Sequence, residues 1–221
     1  MTTGLIICAA LAREVSRIVR KQGWLVRITG VSPEDHLFPT RIAPDVERRI
    51  IKMKDRCDNI AVVYGECGTN GTLDDVLDRY GIRRINAQNC YEMYAGDLYH
   101  RLLDEERGTF FLTDFLVRTF HQAVIQGLGL DRYPELKSDY FHNCKRIAYL
   151  MQEDDSEMRS RAQMIADYME LPILFHFTGY SGLEDKILEL LNREEYRKGM
   201  PSCNTHCSNK NIRNNGLLLC C

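Results

Sequence analysis

Three cysteines of this 221-residue chain each follow a short apolar, strand-like run. Cys8 directly follows Leu5–Ile6–Ile7. Cys67 stands three residues beyond Ile60–Tyr64, in Tyr64–Gly65–Glu66–Cys67–Gly68–Thr69–Asn70–Gly71. Cys90 follows Ile82–Ile85, in Asn89–Cys90–Tyr91–Glu92. The strands of an open parallel sheet deliver their carboxyl ends to one edge, where ligand sites form. Each cysteine also lies at or just before a predicted helix start, where free N–H groups and a partial positive charge favour a thiolate. Four thiolates close a structural zinc site, whereas three leave a coordination position open. The expected chemistry is a catalytic zinc that takes a substrate thiol, or an iron–sulfur cluster with one exposed iron. The competing use is as a small buried hydrophobe. Cys8, within Ile–Ile–Cys–Ala–Ala–Leu, fits that use equally well, but the Gly/Thr/Asn turn around Cys67 offers little to bury.

Other residues join this set by position. His36, in Pro33–Glu34–Asp35–His36–Leu37 after the second strand, is a candidate fourth metal ligand. Glu66 is a candidate proton carrier, and Tyr64, Tyr91 and Glu92 are expected to line the crevice. Gly65, Gly68 and Gly71 let the backbone turn tightly and approach a ligand. Asn89 and Glu92 read as the cap and third residue of a capping box, which puts Cys90 in the first turn. The glycine triplet lacks the Gly-Lys-Ser/Thr ending of a P-loop and the Gly-x-Gly start of a dinucleotide fingerprint. A small anion on its amides remains allowed. Cys57 reads as a helix-end boundary residue, and Cys144 as lying at the opposite sheet edge. His100, His121 and His176 read as surface or structural positions. Asp74 and Asp75 read as first-turn helix carboxylates.

Composition bounds the partners. Lys and Arg number 29 and Asp and Glu 31, for a net charge of −2, with 44 % hydrophobic and 27 % charged residues. These values exclude collagen-like, mucin-like and wholly disordered classes. Without a basic stripe, no nucleic-acid partner is expected. The longest apolar runs, such as Leu5–Ala12, fall far below the ~20 residues of a membrane span, so no membrane partner is expected. The amino-terminal residues do not read as a signal peptide. A cytoplasmic location follows as the expectation, with reduced thiols in place of a disulfide framework.

Strand-like and helix-like segments alternate from residue 4 to about 191. Predicted helices cover Leu11–Lys21, Arg41–Met53, Leu73–Arg79, Tyr91–Leu103, Phe115–Ile125, Pro134–Asn143, Asp155–Met169 and Leu183–Leu191. Ser181–Gly182–Leu183–Glu184 has the form of a capping box. The pattern predicts an α/β fold: a mostly parallel, Rossmann-like layered sheet with helices on both faces. Residues 1–195 are expected to form a single domain, divisible into lobes of about 1–126 and 127–195. Residues 196–221, rich in Cys and Asn, are expected to be disordered. Cys203, His206, Cys207, Cys220 and Cys221 lie in that tail without a complete zinc-finger spacing.

With these motifs in view, the chain resembles a prokaryotic family known as domain of unknown function number 1638. The resemblance runs from about Leu5 to Leu191. It rests on Cys8–Ala9–Ala10–Leu11–Ala12–Arg13–Glu14, His36, Ile42–Ala43–Pro44, Tyr64–Gly65–Glu66–Cys67–Gly68–Thr69 and Cys90–Tyr91–Glu92. It continues through Gly108–Thr109–Phe110–Phe111–Leu112–Thr113–Asp114–Phe115–Leu116, Gly127–Leu128–Gly129–Leu130–Asp131 and Pro134–Glu135–Leu136. Family members usually carry Cys-Gly-Ala-Leu where this chain has Cys8–Ala9–Ala10–Leu11. The resemblance implies no established reaction. It implies a setting near corrinoid and one-carbon methyl transfer, with a small-molecule ligand and a corrinoid protein as partner. Two other roles stay open: a non-enzymatic accessory protein of such a system with structural or redox cysteines, and a metal-free thiol enzyme using Cys67.

Overall fold

A computed structural model describes residues 2–191. They form the expected α/β fold of parallel strands surrounded by helices, with the strands divided between two sheets. The described chain divides into two compact units, residues 2–88 with 183–191, and residues 89–182. The division falls at Gln88/Asn89. Among the described residues, no helix is long and apolar enough to cross a membrane.

The first unit contains β1 (Thr3–Cys8), α1 (Ala12–Gln22), β2 (Val26–Val31), α2 (Ile42–Lys54), β3 (Asn59–Val63), α3 (Thr72–Tyr80) and the short β4 (Arg83–Arg84). The strand order is β2-β1-β3-β4. Every residue of β1 is buried, as an unbroken apolar run in a central parallel strand requires. α1 ends at Gly23, whose left-handed backbone (φ 67°) closes the helix. Two 3-10 turns, Pro33–Leu37 and Pro39–Arg41, carry the chain from β2 to α2, and the Ser32 hydroxyl caps the first by accepting the Glu34 N–H. From β1 the chain moves to β2 on one side, and β3 lies on the other. The order therefore reverses between β1 and β3, and such a reversal opens a crevice at the strands' carboxyl ends.

The second unit contains α4 (Cys90–Ala95), α5 (Asp97–Glu105), β5 (Thr109–Leu112), α6 (Asp114–Phe120), α7 (Leu136–Phe141), β6 (Arg146–Met151), α8 (Ser156–Met169) and β7 (Ile173–Phe177), with strand order β5-β6-β7. The helix predicted over Tyr91–Leu103 is broken at Gly96, whose backbone (φ 50°, ψ −126°) lies outside helical space. The helix predicted over Phe115–Ile125 is α6 followed by a π-helical turn, His121–Gln126. Thr113 caps α6 by accepting the Leu116 N–H, and Asp155 caps α8 by accepting from Glu157 and Met158. The last helix, α9 (Ser181–Leu191), returns to the first unit from residue 183. There the Glu184 carboxylate accepts hydrogen bonds from Lys21 Nζ at 2.8 and 2.9 Å and from Gln22 Nε2 at 2.6 Å.

Candidate functional site

The reversal of strand order in the first unit gathers a cysteine, a histidine and a tyrosine. Ile7 pairs with Val63, so Cys8 and Tyr64, one residue further on each chain, leave β1 and β3 at the same edge. His36 enters from the 3-10 turn after β2. Its Nε2 stands 3.2 Å from Cys8 Sγ and 3.3 Å from the Tyr64 hydroxyl. The imidazole stacks on the Tyr64 ring, with centroids 5.6 Å apart and planes inclined by 16°. Cys8 and Tyr64 are buried, and His36 is partly so.

Burial sets the protonation of this cluster. It pushes the Cys8 thiol up to about 11, although the sulfur also accepts from the Ala10 and Leu11 N–H groups and from the Tyr64 hydroxyl. The helix-start effect expected from the sequence is present in those two N–H groups, but desolvation outweighs it. Burial also pulls the His36 imidazole down to about 4. With these values the proton stays on sulfur, so the two side chains do not form a thiolate–imidazolium pair of the kind that drives thiol catalysis. They suit a metal better. A neutral imidazole already presents a lone pair, and a thiol gives up its proton to the incoming cation. Zinc bonds of ~2.3 Å to sulfur and ~2.05 Å to nitrogen at a tetrahedral angle put the two donors about 3.6 Å apart, a few tenths of an ångström beyond the observed separation. Among the described residues, no group of three or more His, Cys, Asp or Glu stands gathered as a metal-binding cluster.

Cys67 follows Tyr64 in a loop of unusual backbone. Cys67 and Asn70 have left-handed φ values of 49° and 51°, and Gly68 and Gly71 of 78° and 85°. Gly65, grouped with these glycines in the sequence, is buried but does not use positive φ. For a cysteine this conformation costs about 1–2 kcal/mol. Glu66 holds it. Its carboxylate accepts from the Gly68 N–H at 2.8 Å, the Thr69 hydroxyl at 2.9 Å and the Gly71 N–H at 3.4 Å. Burial alone would raise its pKa, but these donors and the Asn70 amide outweigh it and hold the carboxyl below its usual value. The loop amides that a small external anion would use are thus taken by Glu66. The loop packs on the second of the two turns, Pro39–Arg41: a Cβ placed on Gly68 would stand 3.5 Å from Pro39 Cγ.

Two further residues, not assigned to the site from the sequence, brace this loop. Arg84 makes a two-point ion pair with Asp74 at 2.6 and 2.8 Å and donates to the carbonyls of Ile85 and Ala87. The Ala87 carbonyl and the next one, of Gln88, accept the N–H groups of Glu66 and Cys67. The Arg84 guanidinium lies within electrostatic reach of Glu66 and Cys67. Its visible trace in the sequence is the Arg83–Arg84 pair inside the strand-like Ile82–Ile85 segment.

Cys90, Tyr91 and Glu92 belong to the second unit. Cys90 is buried in the first turn of α4, capped by the Asn89 side chain, which accepts the Glu92 N–H at 3.1 Å. Tyr91 is fully buried between Tyr99 and Phe111, with centroids 5.8 and 4.9 Å away. Glu92 faces His100 at 3.7 Å. Cys57 and Cys144 are partly exposed thiols, and the cysteines from Cys203 onward lie outside the described residues.

Neither the curated proteins nor the solved structures contain a significant match to this chain. A protein family matches residues 31–187, a span that includes His36, Tyr64, Cys67 and Cys90 and leaves out Cys8. By that match the chain belongs to the family described as "Protein of unknown function (DUF1638)".

Proposed function

We propose that this chain is a metal-binding protein whose centre is built on Cys8 and His36, with Cys67 as the third ligand and one position left for a small-molecule ligand. The observation that carries the reading is the 3.2 Å approach of Cys8 Sγ to His36 Nε2 at the reversal of strand order. A mixed thiolate and imidazole set suits zinc better than an iron–sulfur cluster, which thiolates alone usually hold. Zinc with an open position lowers the pKa of a bound substrate thiol, which is the chemistry of alkyl transfer to sulfur. A methyl-carrying corrinoid protein is the partner this chemistry would use. In this reading Tyr64 donates a hydrogen bond to the Cys8 sulfur, and Glu66 holds the Cys67 loop in place of carrying a proton. Reduced thiols fit a cytoplasmic setting.

Elemental analysis of protein purified without oxygen, with an absorption spectrum from 300 to 600 nm, tests the proposal. About one zinc per chain is expected, lost in Cys8→Ala, His36→Ala and Cys67→Ala and kept in Cys57→Ala. Cys90→Ala delimits the ligand set. Iron with acid-labile sulfide would replace zinc by a cluster. Metal content unchanged in Cys8→Ala and His36→Ala, or no metal after reconstitution, would overturn the reading.

A further inference from the structure

Two buried side-chain atoms of the second unit, Gln152 Oε1 and His176 Nε2, have no hydrogen-bond partner among the described residues. Gln152 is the first residue after β6 and is 2 % exposed. His176 lies in β7, paired in register with Leu150. Side chains alternate along a strand, so Leu150 and His176 share one face of the sheet, and Gln152, two residues past Leu150, continues that alternation just beyond β6. Gln152 is one repeat nearer the carboxyl edge, which puts its Cα about 8 Å from that of His176. A buried carbonyl oxygen or ring nitrogen left unpaired costs about 1–3 kcal/mol, and such groups are rare. Two of them, one in β7 and one just past the end of the neighbouring β6, mark a place built for an occupant.

The surroundings say what kind. Leu150 is wholly buried and provides an apolar floor, while Leu174, also on this face, is 39 % exposed and leaves a way in from solvent along β7. The charges that act on His176 are Arg146 and Glu105. They pair with each other at 3.2 Å and cancel. The site therefore offers an acceptor and a ring nitrogen, with the two charges that act on His176 offset.

We propose that Gln152 and His176 bind a small uncharged ligand bearing a hydrogen-bond donor and acceptor side by side, as a primary carboxamide does. The ligand N–H donates to Gln152 Oε1, and its carbonyl accepts from the His176 Nε2–H. The site is independent of the cysteine cluster in the first unit.

Titration of isotopically labelled full-length protein with acetamide and with nicotinamide, followed at the Gln152 side-chain amide and the His176 ring nitrogens, tests this. Saturable shifts at both residues are expected. Gln152→Met, close in shape, and His176→Phe are expected to weaken binding at least ~tenfold, the loss of about one hydrogen bond. Cys8→Ala is expected to bind as the parent does. The ligand-free melting temperature of Gln152→Met is expected to stay level or rise, because an unpaired amide is removed. A fall in that temperature, together with no saturable shift for either amide, would mean that a fixed internal water fills the site and would overturn the proposal. Equal affinities in parent and both variants would overturn it as well.

Discussion

Cys8 and His36 lie 28 residues apart in sequence and meet at 3.2 Å. The contact needs β1 to end at Cys8, β2 to pair beside it, and the Pro33–Leu37 turn to fold back over the strand end. Burial at this place holds both groups in their neutral forms.

The metal-free protein should therefore lose stability at both ends of the pH range. The His36 pKa falls from 6.5 to about 4 on folding. Its contribution is present above pH 6.5 and is lost as pH drops toward 4, by at most about 3 kcal/mol and less for its partial exposure. The Cys8 pKa rises from 9.0 to about 11. Its contribution is present below pH 9 and is lost as pH climbs toward 11, by about 2–3 kcal/mol. Urea midpoints of chelator-treated protein against pH should show both limbs. His36→Gln should flatten the acid limb alone and Cys8→Ala the alkaline limb alone. An unchanged acid limb in His36→Gln would contradict the assignment.

Glu66 should matter more to the cysteine loop than its partly exposed position suggests. Glu66→Ala leaves the Gly68 and Gly71 N–H groups and the Thr69 hydroxyl without their acceptor. A loss of about 2 kcal/mol in unfolding free energy is expected, with weaker zinc retention as Cys67 loses its fixed backbone. The carboxyl titrates below its usual value. Its contribution is therefore present above the ordinary glutamate range and disappears as pH falls through the folded value. Glu66→Gln keeps one acceptor oxygen and should fall between parent and Glu66→Ala. Equal stability of all three at pH 7 would mean that the loop is held otherwise.

The left-handed backbone of Cys67 permits a clean comparison. Cys67→Ala and Cys67→Gly both remove the sulfur, but only alanine keeps the Cβ that φ 49° disfavours. Cys67→Gly should therefore be more stable than Cys67→Ala by about 1 kcal/mol, even though glycine normally costs more than alanine. The opposite order in denaturant melts would mean that Cys67 is not held left-handed in solution.

Much of the fold was readable because local signals agreed with one another. The apolar run Leu5–Ile7 and the cap Asn89 both predict elements that the structure contains. The break of α4 from α5 was not readable, since an isolated Gly96 inside a helical pattern is often tolerated. Nor was the division into two sheets, which depends on which strands pair and not on their individual patterns. At the site, Cys8, His36, Tyr64 and Cys67 were visible as residue types near strand ends. The contact between Cys8 and His36 was not, because it depends on the conformation of the turn after β2. Arg84 was missed because its partner Asp74 looks like an ordinary first-turn helix carboxylate.

That ion pair supports a last prediction. Arg84 is 14 % exposed at its side chain, whereas Asp74 is 45 % exposed. Asp74→Asn leaves a largely buried guanidinium with the Ile85 and Ala87 carbonyls as acceptors, but solvent at Asp74 has already weakened the pair. A cost of about 1 kcal/mol is expected. Arg84→Met should cost more, about 2 kcal/mol, because it also releases the Ala87 segment whose carbonyl receives the Glu66 N–H. In the double variant Asp74→Asn/Arg84→Met the two losses should not add. A double-mutant cycle should return a coupling of about 1 kcal/mol, and Arg84→Met alone should reduce zinc retention through the Cys67 loop. Full additivity would show that Arg84 braces the loop without Asp74, through its carbonyl contacts alone.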